Sequence, residues 1–486
     1  MIYLELDGQG DTGRQLVRAL RNAIRTGRLA TGARLPSTRE LAAQLGMARN
    51  TVLYAYEVLC AERLVAGRVG AGTFVTGTVA ARPVAAPRAD LPPQTPYAQR
   101  LRALMPEPAG RVGSAWRHDF QFSAPLVDLG LFPAWAKALA HAAERTEASY
   151  PPSTGHPALR EEIALHLARH RGIACEPGDV LVVNGALQGL ALIARVLLAE
   201  GERVAVEDPT LPAMRALLRA HGAEVVPVGV DTDGMDTTAL AAIAPKLAVV
   251  HPSGQFPLGV RLSPPRQQAL LDFARDRGGW VVEFDQDSEL LDAADAGAAL
   301  HGADRHGRVV YVGSFSRLLT PSLRLGYIVA PAGLRGDLVR AKALLDVASP
   351  AIDQMALAHF MKTGRLERHL HRARAELRRR RAALRESVAV HCGRHLWLAP
   401  TSPALHGVGW LPGWSSDAMT LLKEEAARRD VRLYPIGPCH EQAAPHGGLL
   451  LGFAGLSVAQ IQLATRTLGD ALDAAARRGA PTLKRA

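Results

Sequence analysis

Ser314, Arg317 and Arg324 place one hydroxyl and two guanidinium groups in the run Val312-Gly-Ser-Phe-Ser-Arg-Leu-Leu-Thr-Pro-Ser-Leu-Arg-Leu-Gly-Tyr327. Groups of this kind bind anions, and a phosphorylated or carboxylated metabolite would suit them. Imine chemistry is closed to them. A Schiff base needs an amine that loses its proton and attacks an aldehyde, which a buried lysine does once its pKa falls. The guanidinium of Arg317 stays protonated and forms no internal aldimine. A second anion signal lies upstream, where the turn Gly185-Ala186-Leu187-Gln188 opens a helix whose first backbone N–H groups suit a phosphate. Two uses of Arg317 stay open at this stage: holding an anion beside Ser314 and Arg324, or pairing with Asp285 or another carboxylate and filling a pocket.

A different chemistry is written near the amino terminus, where Arg39, Arg49, Asn50, Thr51 and Arg68 cluster at element ends. Arginine, asparagine and threonine suit phosphates and base edges. The elements that would carry them are readable. Leu16, Leu20 and Ile24 recur at helical spacing before Gly27, and Ser37 with Glu40 forms a capping box that starts a second helix. Gly46 turns the chain into a third helix from Ala48, and Leu64 to Val75 reads as two short strands around Gly70-Ala71-Gly72. Two helices joined by a glycine turn, with a hairpin after them, predict a winged helix-turn-helix; the alternative is a helical docking module without DNA contact. Residues 11–76, marked by RLPSTRELA, RNTV and GAGTFV, closely resemble the winged-helix domain of the GntR family of bacterial regulators. The resemblance implies DNA contacts from Arg39, Arg49, Asn50, Arg68, Gly70 and Gly72, and the polar clustering adds Thr51.

From 77 to 117 proline and alanine dominate, which predicts an extended linker of ~3 Å per residue. Beyond it, from 118 to 478, short β-branched blocks at Val180–Val183, Arg203–Val206, Ala248–Val250, Trp280–Val282 and Val309–Val312 alternate with amphipathic stretches. That pattern predicts an α/β domain with a mostly parallel sheet and ligands at the carboxyl ends of its strands.

The order of these blocks resembles the fold-type I aminotransferases and, with the amino-terminal reader, the MocR/GabR group of regulators. The marks are Tyr150, Gly155 to Arg160, Asn184-Gly185, Glu207-Asp-Pro209, Pro252-Ser253, Gln255-Phe-Pro257, Asp287-Ser-Glu289, Ser314-Phe-Ser316 and Arg324-Leu-Gly-Tyr327. The resemblance implies pyridoxal phosphate as the family cofactor, a homodimer with a head-to-tail arrangement, and double-stranded operator DNA as partner. It also assigns Arg317 to the Schiff-base lysine position. The carboxylate expected at the pyridinium nitrogen is Phe284, the phenol is Gln286, the stacking aromatic is Leu211, and a family histidine is Gly254. Ser314 and Arg324 match the phosphate ligands, with Ala186 and Leu187 at the helix start, where Leu187 replaces a usual glutamine. The ring-binding half of such a site is dismantled; noncovalent cofactor binding through the phosphate cradle stays open.

Composition agrees with a globular chain: 486 residues, 48% hydrophobic and 21% charged, enough for several cores. No apolar run reaches membrane-spanning length and no basic-then-apolar leader opens the chain, so a cytoplasmic protein without membrane contact is expected. Four scattered cysteines suggest neither zinc nor disulfides but core thiols, and no metal site is expected. The net charge of +11 points to an anionic partner, though the run GRLERHLHRARAELRRRRAALRES alone holds nine arginines against three glutamates. A solvated helix face and a nucleic-acid surface both fit that run. Together these features predict a DNA-binding transcriptional regulator whose large domain is dimerisation scaffold and sensor of a small anionic effector. The alternative is an active pyridoxal-phosphate aminotransferase with an accessory reader. We predict that Arg49→Ala weakens operator binding by ~1–3 kcal/mol while circular dichroism stays unchanged; equal gel-shift affinity for wild type and variant would refute the docking.

Overall fold

Apolar residues at helical spacing build the smaller of two units. Leu16, Leu20 and Ile24 share one face of the helix Thr12–Arg25 and are fully buried, against Leu41, Val52, Ala55 and Leu59 from the next two helices. The computed structural model describes residues 4, 6–68, 70–76, 95–104, 116–126, 130–292, 296–401, 403–442, 444 and 446–481. The chain divides into compact units over Met1–Pro93 and Gln94–Ala486.

In the first unit Ser37 caps the helix Thr38–Leu45. Its Oγ accepts the Glu40 N–H at 3.2 Å while the Glu40 carboxylate accepts the Ser37 N–H at 2.8 Å. Gly46 ends this helix at φ +65°, a left-handed conformation that costs glycine nothing sterically. The chain turns there into the helix Arg49–Ala61. Strands Val65–Arg68 and Gly72–Val75 then pair antiparallel, Val65 opposite Val75 and Arg68 opposite Gly72. Three helices and a hairpin make the winged helix-turn-helix.

The cysteine expectation needs correction. Cys392 and Cys439 are buried and Cys175 half-buried, but Cys60 is exposed. Its neighbour Leu59 takes the core-facing position, and the next helical residue points about 100° away.

The stretch 77–117 also departs from a uniform spacer. Residues 77–94 and 105–115 lie outside the described residues, whereas Pro96–Leu104 is a helix. Arg100 holds it to the larger unit, donating to the Ala220 carbonyl at 3.1 Å and pairing with Glu200 at 2.6 Å. Tyr97 adds an edge-on contact with His221. Composition hid this helix because its support comes from residues far along the chain.

The second unit is organised by an eight-stranded sheet. Its spatial order is Val180–Val183, Gly326–Val329, Val309–Ser314, Trp280–Phe284, Leu247–Val250, Arg203–Asp208, Glu224–Asp231 and Gly234–Met235. Strands from Val309–Ser314 to Glu224–Asp231 are parallel; Gly326–Val329 runs antiparallel to both neighbours, and Gly234–Met235 turns back at the far edge. Alternation along the strands feeds a core on each face: Val180 and Val182 join one, Leu181 and Val183 the other. A sheet covered on both faces explains the continuous apolar runs.

A smaller antiparallel sheet follows, ordered Trp397–Leu398, His406–Leu411, Gly447–Gly452, Tyr434–Pro435. Its short, glycine-containing strands carry little periodic signal, so the α/β alternation did not separate it. The arginine-rich helix Arg365–His391 leaves Arg368, Arg372, Arg378, Arg379 and Arg385 exposed and turns other arginines to packing. Arg380 is buried and donates to the Ala454 carbonyl at 2.7 Å, Arg378 pairs with Asp292 at 2.6 Å, and Arg385 donates to the Pro400 carbonyl at 2.9 Å. Among the described residues no helix is long and apolar enough to cross a membrane. We predict that Ser37→Ala, which removes the cap of the second helix, costs about 1 kcal/mol and lowers the first thermal transition of the full chain. An unchanged midpoint would mean that the cap does not hold the helix.

Candidate functional site

The starts of two helices meet in the amino-terminal unit, where the Arg49 Nε lies 3.4 Å from the Thr38 Oγ1. Arg39, Arg49 and Asn50 on these helix starts are exposed, with Thr51 half-buried behind them. On the hairpin Arg68, Gly70 and Gly72 are exposed, and the Arg68 guanidinium lies 4.9 Å from the Phe74 ring centroid. Gly72 has φ +108°, and a Cβ there would stand 3.0 Å from the Arg34 Nε. Guanidinium, amide and hydroxyl groups on two tips can serve phosphates and base edges.

In the larger unit the carboxyl ends of the parallel strands carry the other candidate residues. After Trp280–Phe284 the chain alternates acid and non-acid, and Asp285 and Asp287 meet different arginines. Arg317 donates to the Asp287 Oδ2 at 3.0 Å; both side chains are buried. The guanidinium also lies 5.4 Å from the Phe256 ring centroid. Burial pushes the Asp287 carboxyl above its ordinary pKa, against the pull of the Arg317 charge. Complete burial, with the same Arg317 charge added, depresses the His406 imidazole to about 3. Asp285 is held elsewhere: it accepts from the Tyr311 hydroxyl at 2.8 Å and the Ser288 hydroxyl at 2.6 Å, and pairs with the Arg171 Nε at 2.9 Å. Arg317 therefore pairs with Asp287 and not with Asp285.

Around this pair little space is left. His251, Gly254, Phe284, Gln286, Asp287 and Arg317 are among the residues lining a cavity of about 10 Å³, room for about one water molecule. Phe284 is buried and meets His251 edge-on, ring centroids 5.5 Å apart. The Gln286 Oε1 and the His251 Nε2 are buried without a hydrogen-bond partner among the described residues. Leu211 directly precedes the helix Pro212–Ala220 and is half-buried between two apolar clusters.

The anion-cradle residues converge on the other side of the strand ends. Gly326 pairs with Ser314, and a Cβ on Gly326 would stand 3.2 Å from the Ala186 nitrogen. Arg324, at φ +51°, donates to the Asn184 carbonyl at 3.3 Å, and a Cβ on Gly185 would meet its guanidinium at 2.6 Å. The helix Ala186–Leu197 begins there with no side-chain cap, so the first-turn amides of Ala186 and Leu187 lack an acceptor within the helix. The Ser314 Oγ accepts the Ser316 N–H at 3.2 Å.

Several supporting residues escaped sequence reasoning. Arg171 is buried between Asp285 and Glu283, whose carboxyl burial raises to about 7. Asp346 accepts from Asn184 at 2.9 Å, from Gln188 at 2.7 Å and from the buried Lys342 at 2.7 Å, bracing the cradle turn. Glu207 holds the His251 Nδ1 at 2.7 Å. Apart from the Lys342–Asp346 contact, four residues apart, these bonds join residues far apart in the chain, and no local spacing announces them.

Comparison with known proteins follows this division of the chain. The family model for aminotransferase class I and II matches residues 119–428, and that for the gntR family of bacterial regulatory proteins matches residues 12–75. The chain is 33% identical to the probable rhizopine catabolism regulatory protein MocR of Rhizobium meliloti, over 100% of this chain and 99% of that one. It is 36% identical to the HTH-type transcriptional regulator TauR of Rhodobacter capsulatus, over 79% and 81% of the two chains. Among solved structures, the α-aminoadipate aminotransferase LysN of Thermus thermophilus superposes with a TM-score of 0.67 at 26% identity, covering 74% of this chain and 93% of that one. We predict that Asp287→Ala, which leaves the Arg317 charge buried and unpaired, destabilises the larger unit by ~3–5 kcal/mol. Asp287→Leu combined with Arg317→Met should recover most of that loss in chemical denaturation. A double variant no more stable than Asp287→Ala would show that the pair is not the source.

Proposed function

The chain belongs to the aminotransferase class I and II family, as a regulator of the MocR/GabR type with a GntR-family reader, and from that premise we propose that its large domain senses a small anion without covalent pyridoxal phosphate. The protein is a DNA-binding transcriptional regulator. The observation that carries the proposal is the buried Arg317–Asp287 pair beside a cavity of about 10 Å³, at the position that the family resemblance gives to an imine-forming amine.

The residues around Arg317 do not fit a pyridoxal ring. A guanidinium forms no imine, and a cavity of about 10 Å³ has no room for a pyridine. Phe284 offers no carboxylate to keep a pyridinium protonated, and Asp285 is engaged by Arg171, Tyr311 and Ser288. Leu211 stands where an aromatic would stack. An aminotransferase working through this pocket finds none of its ring-binding groups here.

Ser314, Arg324 and the Ala186 and Leu187 amides support an anion-binding role, since a helix start beside a guanidinium favours phosphate or carboxylate. Arg317, satisfied by Asp287, closes the pocket and leaves anion binding to that cradle. DNA docking rests in this reading on Arg39, Arg49, Asn50, Thr51 and Arg68, with Gly70 and Gly72 shaping the wing. A homodimer is supported by the run of exposed apolar side chains Leu344, Leu345, Val347 and Ile352, since apolar groups gathered in one stretch suit a contact surface better than single ones.

Two titrations test the sensor. Pyridoxal phosphate and its non-aldehyde analogue pyridoxine phosphate should bind with similar affinity, and Arg324→Ala should weaken both, because only the phosphate is held. After dialysis the protein should show no visible aldimine band; a stable band, or a strong preference for the aldehyde, sinks this reading.

A further inference from the structure

On the helix Pro157–Arg171, His166 and His170 stand one turn apart and share a face. Their ring centroids are 4.6 Å apart. Opposite them Glu367 projects from the first turn of the helix Arg365–His391. One carboxylate oxygen of Glu367, Oε1, lies 3.2 Å from the His166 Nδ1 and 2.9 Å from the His170 Nε2. Three potential donors thus converge, all within 4.8 Å of one another. With metal–ligand bonds of ~2.0–2.2 Å, donor atoms around a tetrahedral ion stand roughly 3.3 Å apart. The two separations from the Glu367 oxygen, 3.2 and 2.9 Å, are close to that edge.

The surroundings fit the same chemistry. The second nitrogen of His166, Nε2, lies 2.6 Å from the Glu289 Oε2, and both residues are buried. A carboxylate behind a ligating imidazole fixes its tautomer and orients the other nitrogen toward the ion. The Glu289 backbone is itself held, its carbonyl accepting from the Arg374 Nε at 2.8 Å. His166 and Glu367 also line a cavity of about 200 Å³ whose wall includes Glu162, Arg169 and Lys362.

We propose that His166, His170 and Glu367 bind a divalent transition-metal ion of the zinc class, with Glu289 as the carboxylate that orients His166. Two imidazoles and one carboxylate suit zinc better than magnesium or calcium, which take oxygen shells. Three protein ligands beside a cavity leave a fourth position for water or an anion, and an open position marks a site that exchanges ligands. Arg169 and Lys362 in the cavity wall favour an anion there. Each imidazole coordinates through a nitrogen that carries no proton, so loading the ion displaces any proton on the His166 Nδ1 or the His170 Nε2, to solvent from an imidazolium or to the other ring nitrogen of a neutral imidazole. Glu289 is two residues from Asp287, the partner of Arg317, so one short segment joins this site to the closed pocket.

The test uses the full chain without a histidine tag, stripped of metal by a chelator and titrated with Zn²⁺ alone by calorimetry. A parallel sample is loaded with Co²⁺ for absorption spectroscopy. One ion per chain is expected, with the intense visible bands of tetrahedral cobalt. His170→Ala and Glu367→Gln should each weaken binding at least about 10-fold, and His170→Ala should abolish the cobalt bands. The side chains replaced are 22% and 39% exposed, and circular dichroism checks each fold; if one variant misfolds, the other decides. Cys60→Ser, which removes an exposed thiol, should leave stoichiometry and affinity unchanged. No zinc binding by the wild type, binding unaffected by both ligand variants, or binding lost with Cys60 overturns the proposal. The phosphate titrations of the anion cradle use other residues, so either result stands without the other.

Discussion

Arg317 and Asp287 form a buried ion pair, and the shape of the strand-end pocket depends on it. Glu283, Asp285 and Asp287 bring three carboxylates into the interior at alternate positions, where an unpaired charge would cost several kcal/mol. Arg171 answers the first two and Arg317 the third. Position 317 thus meets a demand for positive charge that does not depend on imine chemistry. A planar guanidinium also lies across Phe256 and fills volume, which leaves a cavity of about 10 Å³. The pocket is closed by the same interaction that keeps its acids stable.

Close backbone approach governs the neighbouring cradle. Gly326 and Gly185 allow the antiparallel strand Gly326–Val329 to lie against the start of the helix Ala186–Leu197, since side chains at either glycine would strike Gly313, Ala186 or Arg324. Ser314 and Arg324 are carried to that helix start by the strand pairing itself. The two halves of the strand-end region therefore differ in kind. One is sealed by buried charge; the other keeps open amides and an exposed arginine. In the amino-terminal unit the logic is simpler: a small apolar core holds two helix starts together, and exposed polar tips remain for a partner.

Local rules made much of this legible. The Ser37–Glu40 box, the left-handed turn at Gly46, the hairpin around Gly70 to Gly72 and five of the strand blocks depend on neighbours within a few residues, and those patterns stand in the sequence. The chemical constraint at Arg317 is equally local, because a guanidinium makes no imine in any fold. The helix Pro96–Leu104 and the exposure of Cys60 were hidden. The first is supported by Glu200 and Ala220, and the second follows from which helix face meets the core.

By itself the sequence determined the winged helix-turn-helix, the mostly parallel α/β domain and the absence of an imine-forming amine at position 317, since periodicity, caps and side-chain chemistry are properties of short segments. Only the tertiary structure decided that Arg317 meets Asp287 while Asp285 turns to Arg171 and Tyr311. It alone brought Glu367 onto His166 and His170. Partners in a buried network are chosen by packing between segments far apart in the chain, and the direction in which a buried carboxylate turns follows from which cation the fold delivers to it.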